Sequence, residues 1–96
     1  MNTMHNPSPP GALLTAWLEE LNMSVTAFAA HIGISRVMLS KILHGRAAIS
    51  ADMDLRLSEA LGTSEGYWLR LQMQTDLWLA GQRAKLRHKI QALTTP

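Results

Sequence analysis

Hydrophobic residues recur every three or four positions along most of this chain, and polar residues fill the gaps between them. One such run spans Gly11 to Leu21, and others follow Ser24, Ser35, Ser50 and Ser64, each a residue type that favours the N-cap of a helix. No segment alternates apolar and polar residues as a half-buried strand does. The pattern predicts an all-α fold with a compact bundle of five helices, over about 11–21, 25–32, 36–44, 51–61 and 65–80.

The length and composition fit one small domain with looser ends. The chain has 96 residues, of which 47% are hydrophobic, enough for one modest core. Three of the four prolines lie within residues 7–10, so we expect a flexible N-terminal arm over 1–10 and a folded domain over 11–80. The remaining segment, 81–96, is basic, and Leu86, Ile90 and Leu93 fall at helical spacing within it. We expect a basic C-terminal helix or tail there, with Gln82–Leu93 as the candidate sixth helix.

The stretch 25–45, VTAFAAHIGISRVMLSKILHG, has the pattern of a helix-turn-helix, the motif that places a helix in the major groove of DNA. Gly33 falls where the chain leaves the first helix, a position that often requires a positive φ. Ser35 is the predicted N-cap of the second helix. Small or apolar residues stand at the positions that must face the core: Phe28, Ala29, Ile32, Ile34, Leu39 and Ile42.

The outward face that remains on the second helix is polar and basic, because residues 33–46 contain three bases and no acid. The N-terminal part of a recognition helix reaches base edges, so Arg36 is expected to bond guanine and Lys41 to reach guanine or a phosphate. Val37 either contacts a thymine methyl group or packs on the turn. Three further side chains, those of Ser35, His44 and Arg46, are better placed to contact a phosphate. The predicted DNA-contacting residues are Ser35, Arg36, Val37, Ser40, Lys41, His44 and Arg46.

Charge changes sign along the rest of the chain. Residues 47–77 contain five acids and two bases, whereas residues 78–96 contain four bases and no acid. Basic segments attract phosphate, and the acidic segment could attract a basic protein.

Several function classes are disfavoured by what the chain lacks. It contains no cysteine, which excludes a thiolate metal site and fits a reducing cytoplasm. Its four histidines show no paired ligand spacing, and its serines fall at helix caps, so we expect no metal, no cofactor and no enzyme activity. The start lacks the pattern of a signal peptide, and no apolar run reaches the length of a membrane span.

The fifth predicted helix has a wider apolar arc than the outside of a small bundle requires. One stripe runs through Trp68, Leu71, Thr75 and Trp78, and the neighbouring stripe through Leu69, Met73 and Leu77. Either the whole arc wraps the core, or part of it forms a dimer or partner surface, where tryptophan and methionine are common.

Three segments carry a resemblance to a known family: HNPSPPG near the start, GRAAIS at the end of the motif, and ALGTSEGYWLRLQMQTDLW, which runs from the end of the fourth predicted helix into the fifth. The motif itself is similar to the phage-repressor-like (Xre-type) DNA-binding domains. Together with the three segments, over roughly 5–78, it resembles the HigA-type antitoxins of bacterial toxin–antitoxin modules. The most specific groups are Tyr67–Leu69, Leu71–Gln72 and Asp76–Trp78, and Ala12 departs from the pattern, since the family usually has Glu there.

The resemblance implies a lambda-repressor-like fold and a protein that binds and neutralises a small RelE-like ribonuclease toxin. It also implies that the protein represses its own operon by binding operator DNA, often as a dimer. Because such toxins tend to be basic, the candidate toxin-binding residues are acids: Glu19, Glu20, Asp52, Asp54 and Glu59.

Two other functions stay open on the same fold. One is a solitary transcriptional repressor without a toxin partner, which only a partner can distinguish from an antitoxin. The other is a protein-interaction module that has lost DNA binding, and Arg36, Ser40 and Lys41 argue against it. The basic tail either adds phosphate contacts, docks its apolar side chains on a partner subunit or toxin, or remains a frayed or partly docked helix, which we favour.

Overall fold

The computed structural model describes residues 6–94 and folds them into five α-helices. They are α1 (Pro10–Leu21), α2 (Val25–Ile32), α3 (Arg36–Leu43), α4 (Ala51–Leu61) and α5 (Tyr67–Ala84). Within 6–94 there is no strand, so the predicted all-α, five-helix fold is confirmed. The first five residues of the predicted N-terminal arm lie outside the described residues.

Serine hydroxyls cap three of the helices, as the sequence predicts. In each case the Oγ accepts a hydrogen bond, at 3.0 or 3.1 Å, from the backbone N–H three residues further on; the serines are Ser24, Ser35 and Ser50. Such a cap satisfies one of the four N–H groups that a helix leaves without a partner, and its loss costs about 1 kcal/mol. These local bonds fix where α2, α3 and α4 begin.

Helix α3 packs its inner face against α1 and α2, while α5 packs against α4 and α1. The helices enclose one cluster of buried apolar side chains: Leu14, Leu18, Phe28, Ala29, Ile32, Leu39, Ile42, Ile49, Met53, Leu57 and Trp68. Leu21 is the last residue of the hydrophobic run that predicts α1, but it is 45% exposed at the end of that helix. The inward faces of α2 and α3 are those predicted from the motif.

The start of α1 touches the end of α3 through backbone atoms. A Cβ built on Gly11 would lie 2.4 Å from the carbonyl oxygen of Ile42 and 2.5 Å from that of Leu43. No side chain fits at this distance, so only glycine allows the backbones of α1 and α3 to approach this closely. The contact fixes the carboxyl end of α3, the helix that carries most of the predicted DNA-binding residues.

Helix α5 begins later than the sequence pattern predicts. Ser64 was expected to cap a helix starting at Glu65, but α5 starts at Tyr67 and has Gly66 at its N-cap position, with no side-chain cap of its own. The backbone N–H of Tyr67 instead bonds the carbonyl oxygen of Ser64, closing a turn before the helix. The prediction of Ser64 as an N-cap is therefore wrong.

The cap of α5 comes from another helix. The carboxylate of Asp54, in α4, accepts hydrogen bonds from the backbone N–H groups of Gly66, Trp68 and Leu69 at 2.7, 2.8 and 3.2 Å. Asp54 is 2% exposed, so its side chain cannot reach a partner protein. The prediction that Asp54 binds a toxin is therefore wrong, because its carboxylate is buried and hydrogen-bonded to the start of α5.

The carboxyl end of α5 also differs from the expectation. The helix continues through Gly81 to Ala84, past the expected boundary at 81, and no further helix forms as far as residue 94. Leu86, Ile90 and Leu93 are 75–99% exposed. A short amphipathic segment with nothing to pack against is a marginal helix in water, so the predicted sixth helix is wrong and 85–94 is a tail.

Candidate nucleic-acid interface

Helix α3 buries one face and leaves the opposite face in solvent. Leu39 is fully buried and Ile42 is 2% exposed, and both point into the core. On the other side Val37 is 62% exposed and Met38 41%. A helix exposed along its whole length in this way can enter a groove about as wide as the major groove of B-DNA, about 12 Å.

The outward face presents two rows of side chains, because residues four apart are neighbours on a helix. One row is formed by Arg36, Ser40 and His44, and the next by Val37 and Lys41. Of these five residues only Ser40 is half-buried, and the others are exposed. The exposure of Val37, 62%, favours contact with DNA over partial packing on the turn, and the choice between the two stays a prediction.

Internal hydrogen bonds orient three of the predicted phosphate-binding residues. The hydroxyl of Ser35 is exposed although it accepts the Met38 N–H, so a second bond is open to it. The Nδ1 atom of His44 lies 2.8 Å from the carbonyl oxygen of Ser40, which holds the imidazole at the end of α3. The backbone N–H of Arg46 donates to the carbonyl of Lys41 at 2.7 Å, and its side chain is exposed. Ser35 and His44 thus flank α3 at its two ends, whereas Arg46 follows in the turn after α3, beside a groove that Asp76 of α5 also lines.

The electrostatics of this side favour an anion. From Gly33 to Ala51 the chain has three bases and no acid. The first acid after the motif, Asp52, is engaged by Arg56, whose Nε donates to Oδ2 at 2.7 Å. The basic side chains of α3 therefore face solvent without a competing carboxylate from their own segment.

The remaining predicted toxin-binding acids are scattered. Glu19 and Glu20 are exposed on α1, whereas Glu59 is exposed on α4. Asp52 is also exposed on α4 but pairs with Arg56. The structure therefore brings no more than two of these acids, Asp52 and Glu59, to one shared groove, which lies between α2 and α4.

The apolar arc of α5 divides into a covered and an uncovered part. Trp68 is fully buried, and the rest of its stripe is half-buried. In the neighbouring stripe Met73 is 53% exposed and Leu77 is 65% exposed. The alternative in which the whole arc wraps the core is therefore wrong, because Met73 and Leu77 leave apolar surface in solvent.

Sequence reasoning missed a contact between α4 and the motif. Nη1 of Arg56 donates to the carbonyl oxygen of Ile32 at 2.8 Å, at the end of α2. The pairing of Asp52 with Arg56 could be read from their i,i+4 spacing. The contact with Ile32, 24 residues away in sequence, had no local signal.

Two further features bear on the class of site. Among residues 6–94, no three histidine, aspartate or glutamate side chains come together as metal ligands do. None of the helices described is both long and apolar enough to cross a membrane.

A family model described as helix-turn-helix matches residues 14–68, which include α2, the turn and α3. The chain belongs to the helix-turn-helix family. It is 38% identical over 69 residues to the HTH-type transcriptional regulator YddM of Escherichia coli (strain K12), covering 72% of this chain and 73% of that protein. It is 30% identical over 77 residues to antitoxin HigA-1 of Vibrio cholerae, covering 79% of this chain and 72% of that protein.

Among solved structures, the antitoxin HigA of Pseudomonas aeruginosa, determined with the higBA promoter, matches with a TM-score of 0.81. The two chains are 31% identical, and the match covers 92% of this chain and 99% of that one. The similarity to HigA-type antitoxins predicted from the sequence is confirmed at the level of the family.

Proposed function

We propose that this helix-turn-helix protein binds operator DNA through α3 and represses its own operon. The observation that carries the proposal is the outward face of α3, where Arg36 and Lys41 are exposed in a segment without acids. With α3 in the major groove, Arg36 is placed for the two acceptors of a guanine and Val37 for a thymine methyl group. A related HigA from Pseudomonas aeruginosa, whose structure was determined with the higBA promoter, supports the proposal that this chain binds promoter DNA.

The remaining residues of the interface act on the backbone. Ser35, Ser40, His44 and Arg46 are proposed to bond phosphate oxygens, and Lys41 to reach either phosphate or guanine. Phosphate contacts set the register of a protein on the duplex, whereas base contacts specify the sequence. We therefore assign base specificity to Arg36 and Val37, and also to Lys41 where it reaches guanine. Salt-dependent affinity is assigned to the cationic phosphate contacts, Arg46 and Lys41, because charged side chains that neutralise phosphates release counterions.

The protein is further proposed to act as an antitoxin that neutralises a small, basic, RelE-like ribonuclease toxin. Its family relationship to HigA-1 supports this role. Glu19, Glu20, Asp52 and Glu59 remain the candidate toxin contacts. The protein is proposed to act by binding and not as an enzyme, and to do so in the cytoplasm, where both proposed partners are expected.

A homodimer is proposed to use the uncovered stripe of α5. Met73 and Leu77 expose apolar surface there, and a second copy would bury it. Two recognition helices in a dimer read half-sites about one helical turn, roughly 34 Å, apart. We therefore expect the operator to be a two-fold repeat.

Co-expression with the native flanking genes tests the antitoxin role. The protein, purified from such cells, is expected to bring with it a small basic protein from the adjacent reading frame in stoichiometric amounts. The identity of that protein would be read by mass spectrometry. Recovery of the DNA-binding protein alone would refute the antitoxin role.

The alternative is a solitary transcriptional repressor, which the similarity to YddM supports. It predicts the same binding to the DNA that precedes the protein's own reading frame but no co-purifying partner. Binding that weakens steeply with salt is expected for either function, because phosphate contacts release counterions. Absent or salt-insensitive binding would contradict both and leave a protein-interaction module.

A further inference from the structure

The turn that leads into α3 is held by a side chain from outside the motif. Nη1 of Arg56, in α4, donates to the carbonyl oxygen of Ile32 at 2.8 Å and to that of Gly33 at 3.3 Å. The carbonyl of Ile32 belongs to the last turn of α2, where carbonyls have no partner within the helix. A guanidinium is favourable there because the carboxyl end of a helix attracts cations.

Asp52 holds the other edge of the same guanidinium. Its Oδ2 accepts from Nε of Arg56 at 2.7 Å, one helical turn away on α4. The rigid fork of arginine donors can serve a carboxylate and a carbonyl at once, which a lysine ammonium on a flexible stem cannot do with fixed geometry. The Arg56 side chain is 39% exposed, so a substitution there leaves the buried core intact.

The turn itself is built around this guanidinium. Gly33 has φ +76°, and a Cβ on it would lie 3.0 Å from Nη1 of Arg56, so glycine supplies both the backbone conformation and the space. Two amides close the turn onto α2: Gly33 N–H donates to Ala30 at 3.2 Å and Ile34 N–H to Ala29 at 3.0 Å. The position of the turn thus depends on α2 from one side and on Arg56 from the other.

The turn is short enough to transmit a displacement to α3. Three residues separate the two helices, and the last of them, Ser35, is the N-cap of α3. If Gly33 moves, the first turn of α3 moves with it, including Arg36, which is proposed to meet the bases.

We propose that Arg56, oriented by Asp52, is a positioning residue that sets the direction of α3 on DNA without touching DNA. The inference rests on the DNA-binding function proposed above. It concerns a residue of α4 that lies beside the motif and outside the predicted set of DNA contacts. If Arg56 has this role, base specificity depends on the ion pair between Asp52 and Arg56, which lies on α4 and outside the helix-turn-helix.

Asp52→Asn gives the sharpest test, because a simple charge effect and an orienting role for Asp52 predict opposite changes in DNA affinity. Removing a negative charge near DNA should strengthen binding if charge alone matters. If Asp52 orients Arg56, affinity for the DNA preceding the reading frame should instead fall, by about threefold, since one charge-assisted bond is weakened. Glu59→Gln is the matched control: it lies in the same groove, removes the same charge, and makes no ion pair within residues 6–94.

Arg56→Gln tests the guanidinium, with Arg70→Gln as its control. Arg70 is exposed on α5 and loses the same charge on substitution. We expect Arg56→Gln to weaken specific binding about tenfold, with partial rescue by Arg56→Lys, while Arg70→Gln changes it less than about twofold. The slope of log affinity against log salt should stay unchanged, because a lost phosphate contact would lower it by about 1.

Amide hydrogen exchange, measured without DNA, tests the positioning role of Arg56 independently of the proposed DNA-binding function. Amide hydrogen exchange of Gly33 and Ile34, measured by NMR on folded protein, should accelerate about tenfold in Arg56→Gln and stay unchanged in Arg70→Gln. If wild-type protein binds neither the DNA preceding its reading frame nor the promoter DNA of its operon, the proposed function is refuted, and this readout still decides whether Arg56 holds the turn. Unchanged exchange, Asp52→Asn behaving like Glu59→Gln, or a salt slope lowered by about 1 in Arg56→Gln would each overturn the proposal.

Discussion

Replacing Asp54 by alanine should destabilise the protein more than any other single loss of charge in α4. The carboxylate accepts three backbone N–H groups at the start of α5, at 2.7, 2.8 and 3.2 Å. The bond to Trp68 is buried, and the two others are partly buried. A buried bond to a charged acceptor is worth about 2 kcal/mol, and partly buried donors that water can reach add about 0.5–1 kcal/mol each. We therefore expect Asp54→Ala to lower the free energy of unfolding by about 3–4 kcal/mol.

That loss is a large share of the total stability of a small domain, about 5–15 kcal/mol. It corresponds to a fall in Tm of about 12–30 °C for a chain of this size. The free energy of unfolding would be measured by urea unfolding, followed by tryptophan fluorescence and by circular dichroism. Trp68 is a buried reporter at the affected site. Asp54→Asn keeps the shape and one acceptor, so its loss should be intermediate.

The control is Asp52→Ala, two residues earlier on the same helix. Its side chain is 72% exposed and makes one ion pair, so the expected loss is about 0.3–1 kcal/mol. If Asp54→Ala proved no more destabilising than Asp52→Ala, the carboxylate would not be the cap of α5, and the account of how α5 is held would be refuted.

The other predictions concern the interface and its supports. Arg36→Ala should reduce the binding free energy by about 1–3 kcal/mol on the DNA preceding the reading frame and by less on random DNA, as measured by fluorescence anisotropy. An equal loss on both DNAs would show that Arg36 contacts only the DNA backbone. Gly11→Ala should destabilise by about 1–3 kcal/mol in thermal unfolding, because its Cβ would overlap backbone of α3, whereas Gly81→Ala, where a Cβ meets open space, should stabilise by about 0.5–1 kcal/mol. Leu77→Glu should convert a dimer to a folded monomer in analytical ultracentrifugation, and an intact dimer would place the interface elsewhere. Removing 85–96 should leave dimerisation and DNA affinity unchanged; a loss of either would assign the tail a role.

The helix-turn-helix could be predicted in detail because its signals are local. A serine cap bonds an amide three residues away, and a glycine with positive φ ends a helix at its own position, as Ser35 and Gly33 do. The apolar spacing of Leu39 and Ile42 likewise fixes which face of α3 is buried. The candidate DNA-binding face is what remains after these assignments, so it too could be located from the sequence.

The features that the sequence did not reveal depend on contacts between distant residues. Asp54 looked like a surface acid in the first turn of α4, because nothing nearby shows that it meets the start of α5 twelve or more residues later. The role of Arg56 was hidden for the same reason, because its partner Ile32 lies 24 residues away in sequence. The tail carries a correct helical spacing, but spacing without a surface to pack against does not make a helix.

The central claim is that the outward face of α3 binds DNA, and NMR of isotope-labelled protein titrated with the promoter DNA of its operon tests it most directly. The account predicts that the amide signals that shift cluster in residues 35–46, with those of α5 largely unchanged apart from general broadening. Shifts confined to α5 or the basic tail, or shifts equal for a scrambled fragment of the same length, would contradict it.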